Sequence, residues 1–313
     1  MSNLFFDCSM GAAGDMVTAS LLDLFPDREK MVEELNALGI PGVRYQVETV
    51  SRGGVTGLHM KVTVQGMTEE EAGYLCQGKE AHHHAEETGS QVQEDNYQEK
   101  ETHCQGPKAH HHEDSDHHGE DAHHGHGAHV HVSYQKVQEI VSKLTLPQKV
   151  KEDVFQIYRI IAEAEAAAHG IPMKDIHFHE VGTMDAIADV TAAAYLMERL
   201  HPDAVFATPI RVGAGTVLCA HGELPVPAPA TKRILEGIPY YKGDIQTELC
   251  TPTGAALLKY FVQEFRTGNV PDSGIKGRGF GSKALPLTDG INCLTVSLFE
   301  EEGQLDIAGE NAE

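Results

Sequence analysis

The sequence predicts an α/β protein, with mixed α+β as the variant, whose strands and helices surround one or two cores interrupted by a long disordered His-rich insertion. Three observations lead there. Strand-like and helix-like apolar periods alternate at both ends of the chain, and 313 residues can bury a core without disulfide staples. The stretch from about Met67 to Ala128, by contrast, is rich in Glu, Gln, His and Gly and poor in the aromatic and branched aliphatic residues that a core needs. The expected parts are an N-terminal α/β part (1–67), the His- and acid-rich insertion (68–128), a main α/β part (129–299) and an acidic tail (300–313).

The N-terminal part opens with "NLFFDCSMGAAGDMVTASLLDLF". A strand around Leu4 to Phe6 runs into a Gly-rich turn, and the spacing of Met16, Ala19, Leu22 and Leu24 then suits a helix. A second helix, "REKMVEELNAL", stops at Gly39 and Pro41. "YQVETVSRGGVTGLHMKVTVQG" has two period-2 runs around a glycine turn, which predicts a hairpin. After the insertion, apolar residues at Val137, Ile140, Val141 and Leu144, then Val150, Val154, Ile157 and Ile161, predict helices restarted at Pro147 and ended at Gly170. "DIHFHEVGTMDAIADVTAAAYLMERL" reads as a short extended stretch and a helix, and "DAVFATPIRVGAGTV" as strand and glycine turn. "LPVPAPATKRILEG" and "ELCTPTGAALLKYFVQEF" each enter a helix, "IKGRGFGS" predicts a loop, and "INCLTVSLFE" predicts the last strand.

The formal charge of −23 argues against nucleic acid, whose phosphates repel such a chain, and points to cations as partners. Between Thr68 and Ala128, 15 Asp and Glu stand against three Lys, so a net −12, about half the imbalance, sits in one segment. The six cysteines are scattered without a C-x-x-C pair, and the N-terminus lacks a secretory signal, so a reduced, cytoplasmic protein is expected. No apolar run reaches the roughly 20 residues of a membrane span.

Fourteen of the twenty histidines lie between His82 and His131, among them His110, His111, His112, His117, His118, His123, His124, His126, His129 and His131. Neutral imidazole suits Ni, Zn, Cu and Co, so the tract is expected to gather several ions loosely, while a solvated low-complexity linker is the bland alternative. "HFHE" is sharper. In an extended segment His177 and His179 project to one side and Phe178 to the other, with Glu180 adjacent and Asp185 and Asp189 one turn apart on the next helix. This set suits a metal site or an acid/base pair; equally, one histidine caps the helix and the aspartates form a solvated face. His221 and Glu223 are further candidates.

"DCSMGAAGD" is a Gly-rich turn between strand and helix, where the backbone amides around Gly11 and Gly14 favour an anion, although the P-loop lysine is missing. Asp7 and Asp15 there tolerate a metal or a ribose hydroxyl, and a helix end would lower the pKa of Cys8; packing is the simpler role for that cysteine. Thr251 and Thr253 precede a helix as caps or, with Glu248 and Cys250, as a ligand loop. Arg278 within "GRGFGS" and Lys283 directly after it meet a phosphate or merely turn the chain.

Together "DCSMGAAGDM", the His-rich tract, "AEAEAAAHGIP", "IHFHEVGTMDAIADV", "LPVPAPAT" and "TPTGAALL" resemble the nickel-insertion protein family of nickel-pincer cofactor biosynthesis, which matures lactate racemase. The resemblance implies binding of Ni(II) and its delivery to pyridinium-3,5-bisthiocarboxylic acid mononucleotide, with one carbon–nickel and two sulfur–nickel bonds formed. It also implies CTP with Mn(II) or Mg(II), used through a C-terminal domain that this chain does not include. A partner polypeptide carrying that domain is therefore expected, and a homo-oligomer is compatible with it. On this reading the tract collects the ion, and a cleft bearing Asp7, Cys8, Asp15, His177, His179 and Glu180 passes it on, with the Gly11–Gly14 turn and Thr251 and Thr253 receiving the substrate phosphate. The rivals are a nickel or zinc storage protein without catalysis and a metal-dependent hydrolase.

Overall fold

The computed structural model describes residues 2–68, 71, 132–178, 183–219, 222–268, 271, 273–282, 285–286 and 290–300. The insertion from 72 to 131 and the tail beyond 300 lie outside the described residues. Strand β1 (Ser2–Asp7) leads into α1 (Gly14–Leu22) and α2 (Arg28–Asn36), the latter capped by Asp27, whose carboxylate accepts from the Lys30 amide at 3.0 Å. The hairpin β2 (Val43–Arg52) and β3 (Val55–Val64) follows. The chain re-enters at β4 (Val132–Ser133), then forms α3 (Tyr134–Ser142) and the long α4 (Gln148–His169). Helix α4 starts behind Pro147 and ends on Gly170 in the left-handed region (φ 67°), a conformation glycine adopts without a Cβ penalty.

Next come β5 (His177–Phe178), α5 (Met184–Leu200), β6 (Ala204–Ala207) and β7 (Ile210–Arg211). A small hairpin, β8 (Thr216–Cys219) and β9 (Gly222–Pro225), precedes α6 (Pro229–Ile234) and β10 (Tyr240–Tyr241). Helix α7 (Pro252–Phe261) and strands β11 (Glu264–Phe265), β12 (Ile275–Phe280) and β13 (Cys293–Glu300) complete the described order.

Seven strands form one mixed sheet in the order β11, β6, β1, β13, β12, β3, β2. Strand β13 runs antiparallel to both β1 and β12, and β3 runs parallel to β12, so β1, β3 and β12 point the same way. The sequence before the insertion and the sequence after it share this sheet, and Met1–Glu71 with Val130–Glu313 form one compact unit. Helix α1 lies over β12 and β3 on one face. Leu4, Phe6, Met16, Leu58, Met60, Val62 and Val296 meet the α4 stripe of Val150, Val154, Ile157 and Ile161 in one core, where each fully buried apolar side chain contributes about 2 kcal/mol.

"IKGRGFGS" is not a loop: its residues 275–280 form β12, paired with β13 along its length and with β3 at Gly279. The glycines that suggested a loop serve packing. A Cβ on Gly277 would overlap the Ser20 carbonyl and one on Gly279 the Met16 carbonyl, so only glycine lets α1 lie this close to the strand. No helix among the described residues is long and apolar enough to cross a membrane.

Candidate functional site

A cavity of about 1020 Å³ opens beyond the carboxyl ends of the parallel strands, the usual ligand position in an open α/β sheet. Ala13–Met16 follow β1, Thr68 and Glu71 follow β3, and Gly281 and Ser282 follow β12. The first turns of α1, α5 and α7 also reach it, through Gly14, Asp185 and Thr253.

Two loops form its floor. The Ala12 N–H donates to the Leu249 carbonyl at 2.9 Å, and the Thr251 N–H donates to the Ala12 carbonyl at 3.1 Å. Gly11, at φ +85°, stands where a Cβ would overlap that Leu249 carbonyl, and a Cβ on Gly14 would sit 2.5 Å from Asp189 Oδ2. Both glycines are thus required by close approach, and of the two only Gly14 lines the cavity. Asp15 pins the floor to the strand end: Oδ1 accepts from the Met16 amide at 2.7 Å, while Oδ2 accepts from the Ser282 amide and hydroxyl at 3.0 and 2.9 Å. Thr251 caps α7 by accepting from the Gly254 amide at 3.2 Å and shares a 2.9 Å hydrogen bond with the buried Thr253 hydroxyl; both line the cavity.

The structure thus brings Gly14, Asp15, Thr251 and Thr253 together with Asp185, Asp189 and Glu248. Asp7 and Cys8 are not on this wall. The Asp7 carboxylate accepts from the Ser9 amide at 3.1 Å, and Cys8 is fully buried with its amide donating to Thr208 Oγ1 at 2.9 Å. The expected lowering of the Cys8 thiol is reversed: burial first, then the neighbouring Cys250 and Asp7, push its pKa well above the ordinary thiol range. Burial and Glu248 do the same to Cys250, so both thiols stay protonated at neutral pH.

Phe178 of the "HFHE" stretch is buried as predicted, its ring 6.0 Å from that of Tyr158, and β5 pairs with β4 through Val132↔Phe178 and Ser133↔His177. The helix cap is Thr183, whose hydroxyl accepts from the Ala186 amide at 3.4 Å, not a histidine. The aspartates are no solvated face either, since Asp185 and Asp189 line the cavity and Asp189 is buried. Arg278 is fixed in β12, its amide donating to Asp23 at 2.9 Å, and Glu223 accepts from Thr216 at 2.6 Å on the β8–β9 hairpin. His179, Glu180, His221, Lys283 and the tract histidines His110, His111, His112, His117, His118, His123, His124, His126, His129 and His131 lie outside the described residues.

Sequence reasoning missed a second wall. Glu48, His59 and Lys61 on the β2–β3 hairpin, and Glu165 with His169 on the last turns of α4, face the same cavity. His59 Nδ1 lies 3.1 Å from the Phe280 carbonyl, and His169 Nε2 lies 3.5 Å from Glu165. The alternation of Leu58, Met60 and Val62 with His59, Lys61 and Thr63 was the available signal, since it turns His59 and Lys61 away from the core. Among the described wall residues seven carboxylates (Asp15, Glu48, Glu71, Glu165, Asp185, Asp189, Glu248) stand against one lysine, so the cavity favours cations. Among the described residues no three His, Cys, Asp or Glu side chains gather closely enough to hold a metal ion by themselves.

Fold and wall together define a mixed α/β protein with an acidic cleft at the ends of parallel strands. The family described as nickel insertion protein matches residues 4–311, and the chain belongs to that family. A protein of Geobacillus kaustophilus named pyridinium-3,5-bisthiocarboxylic acid mononucleotide nickel insertion protein is 33% identical over 96% of this chain and 60% of its own length. Proteins of the same name from Clostridium acetobutylicum and Clostridium kluyveri are 37% and 34% identical, over 99% and 96% of this chain and 67% and 63% of their own lengths. The chain therefore spans about three fifths to two thirds of the length of these relatives. No solved structure matches it.

Proposed function

We propose that this chain collects Ni(II) and delivers it to pyridinium-3,5-bisthiocarboxylic acid mononucleotide, the compound in its relatives' names. The observation that carries the reading is the acidic cavity, with seven carboxylates against one lysine among its described wall residues. The imidazoles of the tract capture the ion loosely, because many neighbouring neutral imidazoles offer interchangeable ligands, and His177, His179 and Glu180 are the candidates for handing it to the cleft. Gly14, Thr251 and Thr253, at the first turns of α1 and α7, suit the substrate phosphate, with Gly11 holding that turn in place. Asp7 and Cys8 support this floor from outside the wall.

The chemistry is a metallation without change of oxidation state. The ring C–H and the two thiocarboxylic acids lose their protons, and the electron pairs left behind bind divalent nickel through one carbon and two sulfurs. A wall carboxylate accepts the ring proton, and Asp15, fixed by Met16 and Ser282, is the candidate. CTP with Mn(II) or Mg(II) belongs, on this proposal, to a partner polypeptide. The test mixes the chain with nickel, the mononucleotide and CTP, with and without that partner, and follows the absorbance of the nickel complex. Formation of the complex only when this chain is present is the expected result. Nickel retained on the chain with no complex formed would assign storage instead, and turnover of an ester lost with His179→Ala would assign a hydrolase.

A further inference from the structure

We infer that His59 and Glu48 form a half-site for Ni(II) on the cavity wall, two protein ligands that present the ion while the sulfurs of the substrate complete its coordination. The inference rests on the nickel-delivery reading and adds the residues that hold the ion at the moment of transfer. Glu48 and His59 are directly opposite each other in the β2–β3 ladder, which sets their Cβ atoms about 5 Å apart on one face. Both line the cavity, as do Met60 and Val62 of the opposite face of the same hairpin, so the cavity wraps the strand.

The ring of His59 is already oriented for a metal. Its Nδ1 lies 3.1 Å from the Phe280 carbonyl, and a carbonyl only accepts, so in the neutral ring Nδ1 carries the hydrogen and Nε2 the lone pair. A backbone carbonyl behind one ring nitrogen is the arrangement that fixes tautomer and direction in metal-ligating histidines. Imidazole with carboxylate suits divalent nickel, and two protein ligands leave open the positions that an ion bound for sulfur must have. The chain also leaves the described fold at this wall. Thr68 and Glu71 line it, tied by reciprocal hydrogen bonds of 2.8 and 3.3 Å from each amide to the other side chain, and the His-rich tract follows directly in sequence.

The test uses the full chain with the fourteen tract histidines replaced by asparagine, titrated calorimetrically with Ni(II) alone. A nickel site is expected to remain, weakened at least about tenfold by His59→Asn and by a smaller factor by Glu48→Gln. Asparagine at 59 keeps an N–H toward the Phe280 carbonyl while deleting Nε2, so an unchanged melting temperature is expected. His201→Asn, in the exposed left-handed residue that ends α5, serves as the unaffected control. Equal nickel affinity in the His59→Asn chain would overturn the proposal. Should that variant melt early, nickel-induced paramagnetic broadening of the His59 ring resonances in the parent chain decides instead, and sharp resonances would overturn it. If the site behaves as stated but the native chain never forms the nickel complex, the delivery reading falls and the site stands; if the complex forms equally fast with His59→Asn, the site falls alone.

Discussion

The two walls of the cavity are held in different ways. The floor, Ala12–Met16 against Leu249–Thr253, is knitted by backbone hydrogen bonds and by glycines at positions where no side chain fits. The hairpin wall presents Glu48, His59 and Lys61 as side chains on the non-core face of a two-stranded ribbon, with His59 fastened by one bond to the Phe280 carbonyl. The floor has its position dictated by close packing and tolerates little change. The hairpin has its position dictated by strand pairing, so its exposed residues are free to be selected for chemistry.

The largest effect that separates the walls is expected from Gly11→Ala. A Cβ there meets the Leu249 carbonyl at a left-handed φ of +85°, so the variant should lose roughly 3 kcal/mol in urea unfolding. A stable Gly11→Ala protein would show that the floor is not locked.

Next in size is an alkaline loss of stability. Burial raises the thiol pKa of Cys8 and Cys250 in the fold, so above the ordinary thiol value the unfolded chain has released protons that the native chain still holds. Stability should be full below about pH 8.5 and fall as pH rises, by up to about 1.4 kcal/mol per pH unit for each thiol. Melting curves between neutral and alkaline pH check this, and Cys8→Ala should flatten the decline; an identical slope in that variant would mean that Cys8 is not the buried group responsible.

Thr251→Ala removes the cap of α7 and should cost about 1 kcal/mol, measured against Thr183→Ala at the start of α5. The smallest effect belongs to the hairpin wall: Lys61→Ala should change stability by less than about 0.5 kcal/mol. A larger loss would erase the contrast between the walls.

Much of the fold was legible because local chemistry and tertiary packing agree. The α4 spacing from Val150 to Ile161 is the buried stripe, and Gly170 is its left-handed stop. Strand β12 was not legible, since Gly277 and Gly279 read as a turn until α1 is known to lie on top of them. The floor of the site was half legible: Gly14, Asp15, Thr251 and Thr253 meet, whereas Asp7 and Cys8, at the start of the same motif as Gly14 and Asp15, turn away or into the core. His59 shows the opposite case. Its alternating neighbours reveal that it leaves the core, but only sheet order reveals that it borders the cleft reached by α1, α5 and α7.

On the proposed function nickel changes ligands on this chain, from protein nitrogen and oxygen to substrate sulfur. Nickel X-ray absorption on the nickel-loaded full chain tests this, before and after addition of the mononucleotide, CTP and the proposed partner polypeptide. A nitrogen and oxygen shell is expected at first and a sulfur shell once substrate is present. A nickel spectrum that keeps its nitrogen and oxygen shell unchanged would contradict it.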